Sequence, residues 1–496
     1  ADGAAMSLLE TGVLGLYFLC MGLLAVYGFH RLYLVLLYRR HRDDRPPTPA
    51  APPFEPPLLT VQIPLFNEFH VAERILDAAC ALDHPADRLE IQVLDDSTDE
   101  TAEICRLKVR ELAGRGFRIR HIRRTSRDGF KAGALEAGLR EAAGEFVAIF
   151  DADFIPSPDF ARRILPHFSD PSVGMVQARW GHLNRDYSAL TRVQSIFLDG
   201  HFLIEQTARN RSGRFFNFNG TAGIWRRSCI ESAGGWQHDT LTEDLDLSYR
   251  AQLLGWRFLF LPELVAPAEL PVEINAFKTQ QHRWAKGSIQ TGLKLLPRIL
   301  KSRLPLKVKT EAFFHLTSNF AYVLMALVSL LFFPAMRVRE QMRWNALLAL
   351  DLPIFLLATG SVLAFYLLSQ RKALAGWSGS LRYLPALMSV GVGLCVNNTR
   401  AVLEALAGLR TGFVRTPKLR VEGRDCPRGP RKYRGSLSPL TLLEAALGIY
   451  FTGIVIYAAA HRIYASIPFL LLFQAGYLYT AFLSLAQAAH TRAPKS

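Results

Sequence analysis

A chain of 496 residues that is 50% hydrophobic, with 58 Lys and Arg against 43 Asp and Glu for a formal charge of +15, is too long for one compact domain and too apolar for an ordinary soluble one. No zinc, helix-turn-helix or aromatic-plus-basic sheet pattern accompanies the basic excess, which sets nucleic acid aside and fits loops facing anionic lipid. Six cysteines (Cys20, Cys80, Cys105, Cys229, Cys395, Cys426) show no paired spacing, so neither a disulfide framework nor a metal cluster is indicated.

From Ser7 to Tyr38 the chain is nearly all apolar, its ionisable breaks being Glu10, His30 and Arg31. That exceeds the ~20 residues needed to cross a bilayer, and it reads as a retained membrane helix within residues 1–40. Arg39, Arg40 and Arg42 close it, which puts that end on the cytoplasmic side. Residues 41–57 follow as a linker with seven prolines between Arg45 and Pro57. Residues 58–295 then alternate strand and helix patterns. Leu59 to Pro64, Leu89 to Asp96, Arg118 to Ile122 and Phe146 to Phe150 are predicted strands. Glu73 to Ala81, Asp99 to Ala113 and Lys131 to Ala142 are the helices between them. This order predicts an α/β domain with a mostly parallel sheet. In residues 296–496, Phe313 to Ala335, Ala346 to Leu368, Leu440 to Ala460 and Ile467 to Ala489 each reach spanning length. Pro385 to Leu409 does too, but it carries Asn397, Asn398, Arg400 and Glu404. Taking it as an interfacial helix keeps the α/β domain and the basic segment from Leu409 to Ser436 on one side, as charge asymmetry prefers.

Four charged clusters fall where a parallel-sheet enzyme gathers ligands, at strand ends and helix starts. Asp95 and Asp96 end the second strand. Lys131, in Gly129-Phe130-Lys131-Ala132-Gly133, opens a helix where free amides and an ammonium group suit a diphosphate. Asp151 and Asp153 end the apolar run from Phe146, and two carboxylates there suit a hard divalent ion and, through it, phosphate oxygens. A turn or helix cap is the commoner role of such a pair. Thr242-Glu243-Asp244 precedes a helix and follows the glycine-bearing segment Asn219-Gly220-Thr221. Last, Gln280, Arg283 and Trp284 lie on an amphipathic helix, Trp as a platform for a sugar ring and Arg as a phosphate partner. An Arg-Trp pair at a membrane interface is also a common anchor.

In this order, Asp95, Asp151-x-Asp153, Thr242-Glu243-Asp244 and Gln280-x-x-Arg283-Trp284 resemble the processive family-2 glycosyltransferases: cellulose, mannan, chitin and hyaluronan synthases. The phrases Phe218 to Arg226 and Gln280 to Trp284 look most like the cellulose-synthase-like A and C branch, which includes glucomannan mannosyltransferases. The resemblance implies a GT-A-type, Rossmann-like α/β catalytic domain on the cytoplasmic side of a helical transmembrane domain. It implies Asp95 and Lys131 at the nucleotide and its diphosphate, Asp151 and Asp153 at Mg²⁺ or Mn²⁺ and the nucleotide, and Asp244 as general base. Gln280, Arg283 and Trp284 would meet the nucleotide sugar, and Trp284, Asn219, Gly220, Thr221 and Glu243 the acceptor. Phe413-Val414-Arg415-Thr416-Pro417-Lys418 resembles a gating-loop motif, with Phe413, Thr416 and Lys418 in place and Arg415 where Val is usual.

The resulting expectation is a multi-pass β-glycosyltransferase of the cell membrane that polymerises a hexose from UDP-glucose or GDP-mannose and passes the growing β-glycan through its own spans, in contact with membrane lipid. Single transfer to a lipid acceptor is the alternative. A transporter or structural membrane protein would explain the spans but not the ordered motifs.

Overall fold

Along Phe146–Ile149 the side chains alternate as a pleated strand requires: in the computed structural model of the protein, Phe146, Ala148 and Phe150 enter one apolar layer and Val147 and Ile149 the other. The structure describes residues 7–45, 55–342, 353–354, 356–412, 414–425 and 438–492. Most of the proline-rich linker, residues 346–352 of one expected span, Phe413, Cys426 and the basic run Arg431 to Arg434 lie outside the described residues.

Among the described residues one sheet of seven strands forms: β1 (Leu59–Leu65), β2 (Leu89–Asp95), β3 (Ile119–Ile122), β4 (Phe146–Ile149), β5 (Val173–His182), β6 (Gly223–Arg226) and β7 (Arg257–Ala268), in the order β3-β2-β1-β4-β6-β5-β7. β1 pairs in parallel with β2 and β4, and β2 with β3. The sheet is mixed rather than simply parallel, because β6 runs antiparallel between β4 and β5, while β5 and β7 are parallel. The chain steps outward from β1 to β2 and β3, then returns to lay β4 on the other side of β1. That reversal leaves a crevice at the carboxyl ends of β1 and β4, where the flanking helices part.

The helices, in order, are α1 (Leu8–His41), α2 (Ala72–Cys80), α3 (Thr101–Gly114), α4 (Phe130–Glu141), α5 (Phe160–Ile164), α6 (Ala189–Asp199), α7 (Thr207–Arg211), α8 (Arg227–Ser232), α9 (Glu243–Leu253), α10 (Ile274–Lys301), α11 (Leu306–Thr317) and α12 (Phe320–Gln341). Ile75 and Leu76 of α2, Cys105 and Val109 of α3 and Phe160 of α5 cover one sheet face. Leu135 and Leu139 of α4, Ile230 of α8 and Leu247 of α9 cover the other.

Among the described residues five helical stretches are long and apolar enough to cross a membrane: Leu8–His41, Phe320–Gln341, Trp377–Leu406, Leu440–Ala460 and Tyr464–Ala489. The first starts at a capping box, in which the Ser7 hydroxyl receives the Glu10 amide and Glu10 receives the Ser7 amide. The apolar stretch expected from Phe313 is divided, α11 ending at Thr317 and α12 beginning at Phe320. The polar-studded stretch from Pro385 is two helices, Leu384–Gly393 and Cys395–Leu406. Its polar side chains are there for α10: Asn397 donates to the Lys278 carbonyl at 2.9 Å, and Glu404 receives Lys286 at 3.1 Å with His282 3.1 Å away. Lys278 of α10 also meets the buried Glu444 at 2.7 Å. Paired in this way, the charges of α10 are tolerated inside the helical bundle and fix the α/β unit to it.

Candidate active site

The crevice at the β1 and β4 ends widens into an open cavity whose empty space, with the solvent at its mouth included, is about 1290 Å³. Asp151, just past β4, turns toward it because its amide donates to the Thr221 hydroxyl at 2.9 Å. Lys131 in the first turn of α4 donates to Asp151 Oδ1 at 2.5 Å and to the Gly220 carbonyl at 2.9 Å. Burial works against the Lys131 charge, but Asp151, Glu243 and Asp244 outweigh it and raise its pKa. Gly220 has φ +81°, and a Cβ there would stand 3.1 Å from Asp244 Oδ2 and 3.4 Å from Lys131 Nζ. Only glycine lets the backbone pass between the ammonium and the carboxylate.

Glu243 and Asp244 occupy the first turn of α9, where free amides favour carboxylates, and Leu245 N donates to Asp244 Oδ1 at 2.8 Å. Burial first, then the charge of Glu243, raises the Asp244 pKa to about 7, against the pull of Lys131. Glu243 is raised as well, mainly by burial. A carboxylate poised near neutral pH can take and return a proton. Behind this turn α10 approaches closely, since a Cβ on Gly287 would lie 2.5 Å from Thr242 Cγ2. Gly287→Val is therefore expected to cost roughly 1–3 kcal/mol and to displace the Thr242 turn, seen as a lower melting temperature together with reduced activity.

Gln280, Arg283 and Trp284 share one face of α10, as their three- and four-residue spacing demands, and all three line the cavity. Trp284 stands 6.4 Å from Trp180 of β5, ring centre to ring centre. Over the mouth lies the segment 414–423. Lys418 donates to Asp153 at 2.6 Å, Glu269 receives the Leu419 and Arg420 amides at 2.8 and 2.9 Å, and the Arg283 guanidinium donates to the Val414 carbonyl at 3.1 Å. Arg415, the departure from the gating motif, forms a two-pronged pair with Glu68 at 2.8 and 2.7 Å.

A second, larger cavity, about 2400 Å³ of empty space when its open solvent is included, meets the first and shares Trp180, Asn219, Asp244, Gln280 and Trp284 with it. It continues among side chains of α1, α12, the Leu384–Gly393 helix and the last helix, Ile467–Arg492, such as Met21, Met325, Val392 and Phe473.

The structure thus gathers Lys131, Asp151, Asp153, Asn219, Gly220, Glu243, Asp244, Gln280, Arg283, Trp284, Thr416 and Lys418 around one cavity. It does not bring Asp95 there. As the last residue of β2, Asp95 points into the domain, 1% exposed, receiving the Ser97 amide at 2.8 Å with His121 at 2.8 Å. The pleat turns the next residue the other way, and Asp96, held by Arg124 at 3.0 and 2.6 Å, reaches the wall instead. Thr221 is also behind the wall, buried and bracing Asp151. Glu68, Arg127, Trp180, His182 and Glu269 line the cavity without having been singled out in the sequence. Glu68 follows β1 as Asp151 follows β4, so strand-end position was a usable signal for it; Trp180 and Glu269 belong to β5 and the end of β7, strands the pattern did not reveal.

Asp151 and Asp153 suit a hard divalent cation, being two oxygen ligands on the cavity wall, each engaged by one lysine through a single oxygen. Among the described residues no group of three or more metal-ligating side chains occurs, so phosphate and water would complete the shell.

Residues 56–287 match the family described as glycosyltransferase like family 2. Glucomannan 4-beta-mannosyltransferase 2 of Arabidopsis thaliana is 46% identical over 252 residues, 50% of this chain and 47% of that protein. Glucomannan 4-beta-mannosyltransferase 1 of Oryza sativa subsp. japonica is 36% identical over 382 residues, covering 70% and 72%. The match to the first therefore spans about half its length. Among solved structures, a mannosyltransferase from Pyrobaculum calidifontis in complex with GDP-Man and Mn²⁺ aligns with 79% of this chain and all of that one, with a TM-score of 0.52 and 23% identity. This likeness extends to the fold, and the α/β unit is of the GT-A type.

Proposed function

The chain belongs to glycosyltransferase family 2, and from that premise we propose that it is a membrane-embedded, inverting β-glycosyltransferase that extends a polysaccharide from a nucleotide sugar and passes the product through its own helical bundle. The observation that carries this reading is the continuity of the two cavities. A polymer built at Asp244 needs an exit, and the larger cavity begins at that residue and runs between helices of spanning length. Its charge balance favours a neutral acceptor over the phosphate of a lipid carrier: among the described residues, Arg31 and Arg209 on its wall are already matched by Glu205 and Glu311. The donor we infer is GDP-mannose in preference to UDP-glucose, on the names of the relatives and nothing finer.

In this mechanism the acceptor hydroxyl attacks the anomeric carbon as its proton passes to the Asp244 carboxylate, and the bond from that carbon to the diphosphate oxygen breaks. One displacement inverts the centre, so an α-linked donor gives a β-linked product. Lys131 and Arg283 stabilise charge growing on the departing diphosphate. Asp96 takes the place at the nucleotide that the motif gave to Asp95. Trp284 and Trp180 offer stacking faces to sugar rings. Asp151 and Asp153 would hold Mg²⁺ or Mn²⁺, which when bound adds charge neutralisation at the same diphosphate. The basic flanks of the spans support an α/β unit in the cytoplasm, and with it glycan synthesis at the cytoplasmic face of the membrane.

The test is synthesis by purified protein in detergent with Mn²⁺, offering GDP-mannose, UDP-glucose, UDP-N-acetylglucosamine and UDP-galactose singly, with products sized and digested by linkage-specific hydrolases. A long β-linked polymer from one donor is expected. A singly glycosylated, lipid-soluble product would overturn the polymerase reading. Chelation by EDTA is expected to abolish transfer and added Mn²⁺ to restore it, with Asp151→Asn needing about tenfold more metal or above, read by titration.

A further inference from the structure

Beyond the residues assigned to the reaction, a chain of hydrogen bonds under Asn219 has a fixed direction. It begins at the backbone carbonyl of Asn217, which can only accept, and Gln206 Nε2 lies 2.9 Å from it. The same Nε2 donates to Asn219 Oδ1 at 2.7 Å, so the amide of Asn219 presents Nδ2 to His201 Nε2, 2.9 Å away. That ring nitrogen must accept, which places the imidazole hydrogen on Nδ1, facing Glu205 Oε2 at 3.0 Å. The far end agrees independently, because a carboxylate can only accept from that hydrogen. Carbonyl and carboxylate, at opposite ends, dictate the same amide orientation and the same histidine tautomer.

The backbone is shaped for this contact. Residues Gly200–Gln206 form a π-helical segment after α6, and its wide turn brings both Glu205 and Gln206 to the side of His201. Glu205 is itself pinned by Arg31 of α1 and by Arg209, 3.3 Å away. Burial and these two guanidinium groups hold the His201 pKa down at about 3, so the ring stays neutral. Asn219 keeps one N–H and one lone pair uncommitted to this chain, at the junction of the two cavities beside Asp244. A donor and an acceptor on one rigid amide match two neighbouring hydroxyls of a sugar.

We propose that His201 and Glu205 are positioning residues that lock the Asn219 amide to receive the hydroxyl-bearing end of the acceptor glycan. This rests on the polysaccharide reading given above. It assigns acceptor recognition, separately from donor binding, to a relay running from the first membrane helix through Arg31 and Glu205 to Asn219.

The full-length protein in detergent is assayed in two ways: nucleotide release from the donor without acceptor, and transfer to β-linked manno-oligosaccharides over a range of concentrations. His201→Phe retains a flat ring beside Phe202 but removes the accepting nitrogen, and the Asn219 side chain is then held at its oxygen alone, by Gln206. It is expected to raise the KM for the oligosaccharide about tenfold, with donor KM and nucleotide release within about twofold of wild type. His201→Gln can accept from Asn219 through its oxygen and donate to Glu205 through its nitrogen, so it is expected to restore the KM to within about threefold. Equal impairment in both variants, an unchanged KM in His201→Phe, or a parallel loss of nucleotide release would overturn the relay. Wild-type protein that transfers to no sugar acceptor would instead overturn the polysaccharide reading and the proposal with it.

Discussion

Asp244→Asn is expected to lower transfer about 10²- to 10⁴-fold, the usual contribution of a positioned general base, while the protein still folds and binds donor. The change is nearly isosteric, and the Leu245 amide that donates to Asp244 Oδ1 at 2.8 Å keeps an oxygen acceptor. Full retention of activity would remove the base assignment. The same carboxylate predicts the pH dependence. Its pKa is raised to about 7, chiefly by burial, so below pH 7 the base is protonated and kcat/KM should fall about tenfold per pH unit; above it the rate should level. Glu243 shares this environment, so the inflection belongs to the pair. A rate independent of pH from 5.5 to 8 would contradict the assignment. In Asp244→Asn the residual rate should lose this inflection.

Arg283→Ala should be the second large loss, about 10²- to 10³-fold in kcat, the scale of one removed charge-stabilising donor. Arg283 lines the cavity and also donates to the Val414 carbonyl at 3.1 Å, so it joins the cavity wall to the segment over its mouth. Arg283→Lys keeps the charge but not the planar fork and should recover only part of the rate. Inhibition by nucleoside diphosphate distinguishes the two roles. If the guanidinium meets the diphosphate, product affinity falls along with kcat; unchanged product affinity would leave Arg283 with the loop contact alone.

Local pattern made much of this legible. The alternation and abrupt end of Phe146 to Asp153 located the metal-suited carboxylates because a buried strand declares itself by apolar run and period, and the amphipathic pattern around Gln280, Arg283 and Trp284 placed them on a helix. Lys131 at the start of α4 and Glu243 and Asp244 at the start of α9 were readable for the same reason: caps and first turns have local signatures. The strands β5, β6 and β7 were not. β5 carries Gln177, Arg179, Trp180 and His182, and these polar and aromatic groups fit a sheet because remote partners take them up: the Thr221 and Ala222 carbonyls, the Pro262 carbonyl, Trp284 and Asp199 in turn.

Other outcomes rest on partners remote in the chain. Whether Asp95 or Asp96 meets the cavity depends on the pleat at the end of β2, where a step of one residue exchanges the two faces, and His121 of β3 settles it by engaging Asp95. Arg415 finds Glu68 across 347 residues, and Lys418 finds Asp153 across 265. His201 acquires meaning only when Asn219 and Glu205 flank it. The sequence by itself determined the classes of element, the chemistry at their ends and the membrane character, because each depends on neighbours a few residues apart. Only the tertiary structure decided which carboxylate faces the cavity, what lies over its mouth and how the cavity continues among the helices, because those depend on side chains that folding brings together from distant parts of the chain.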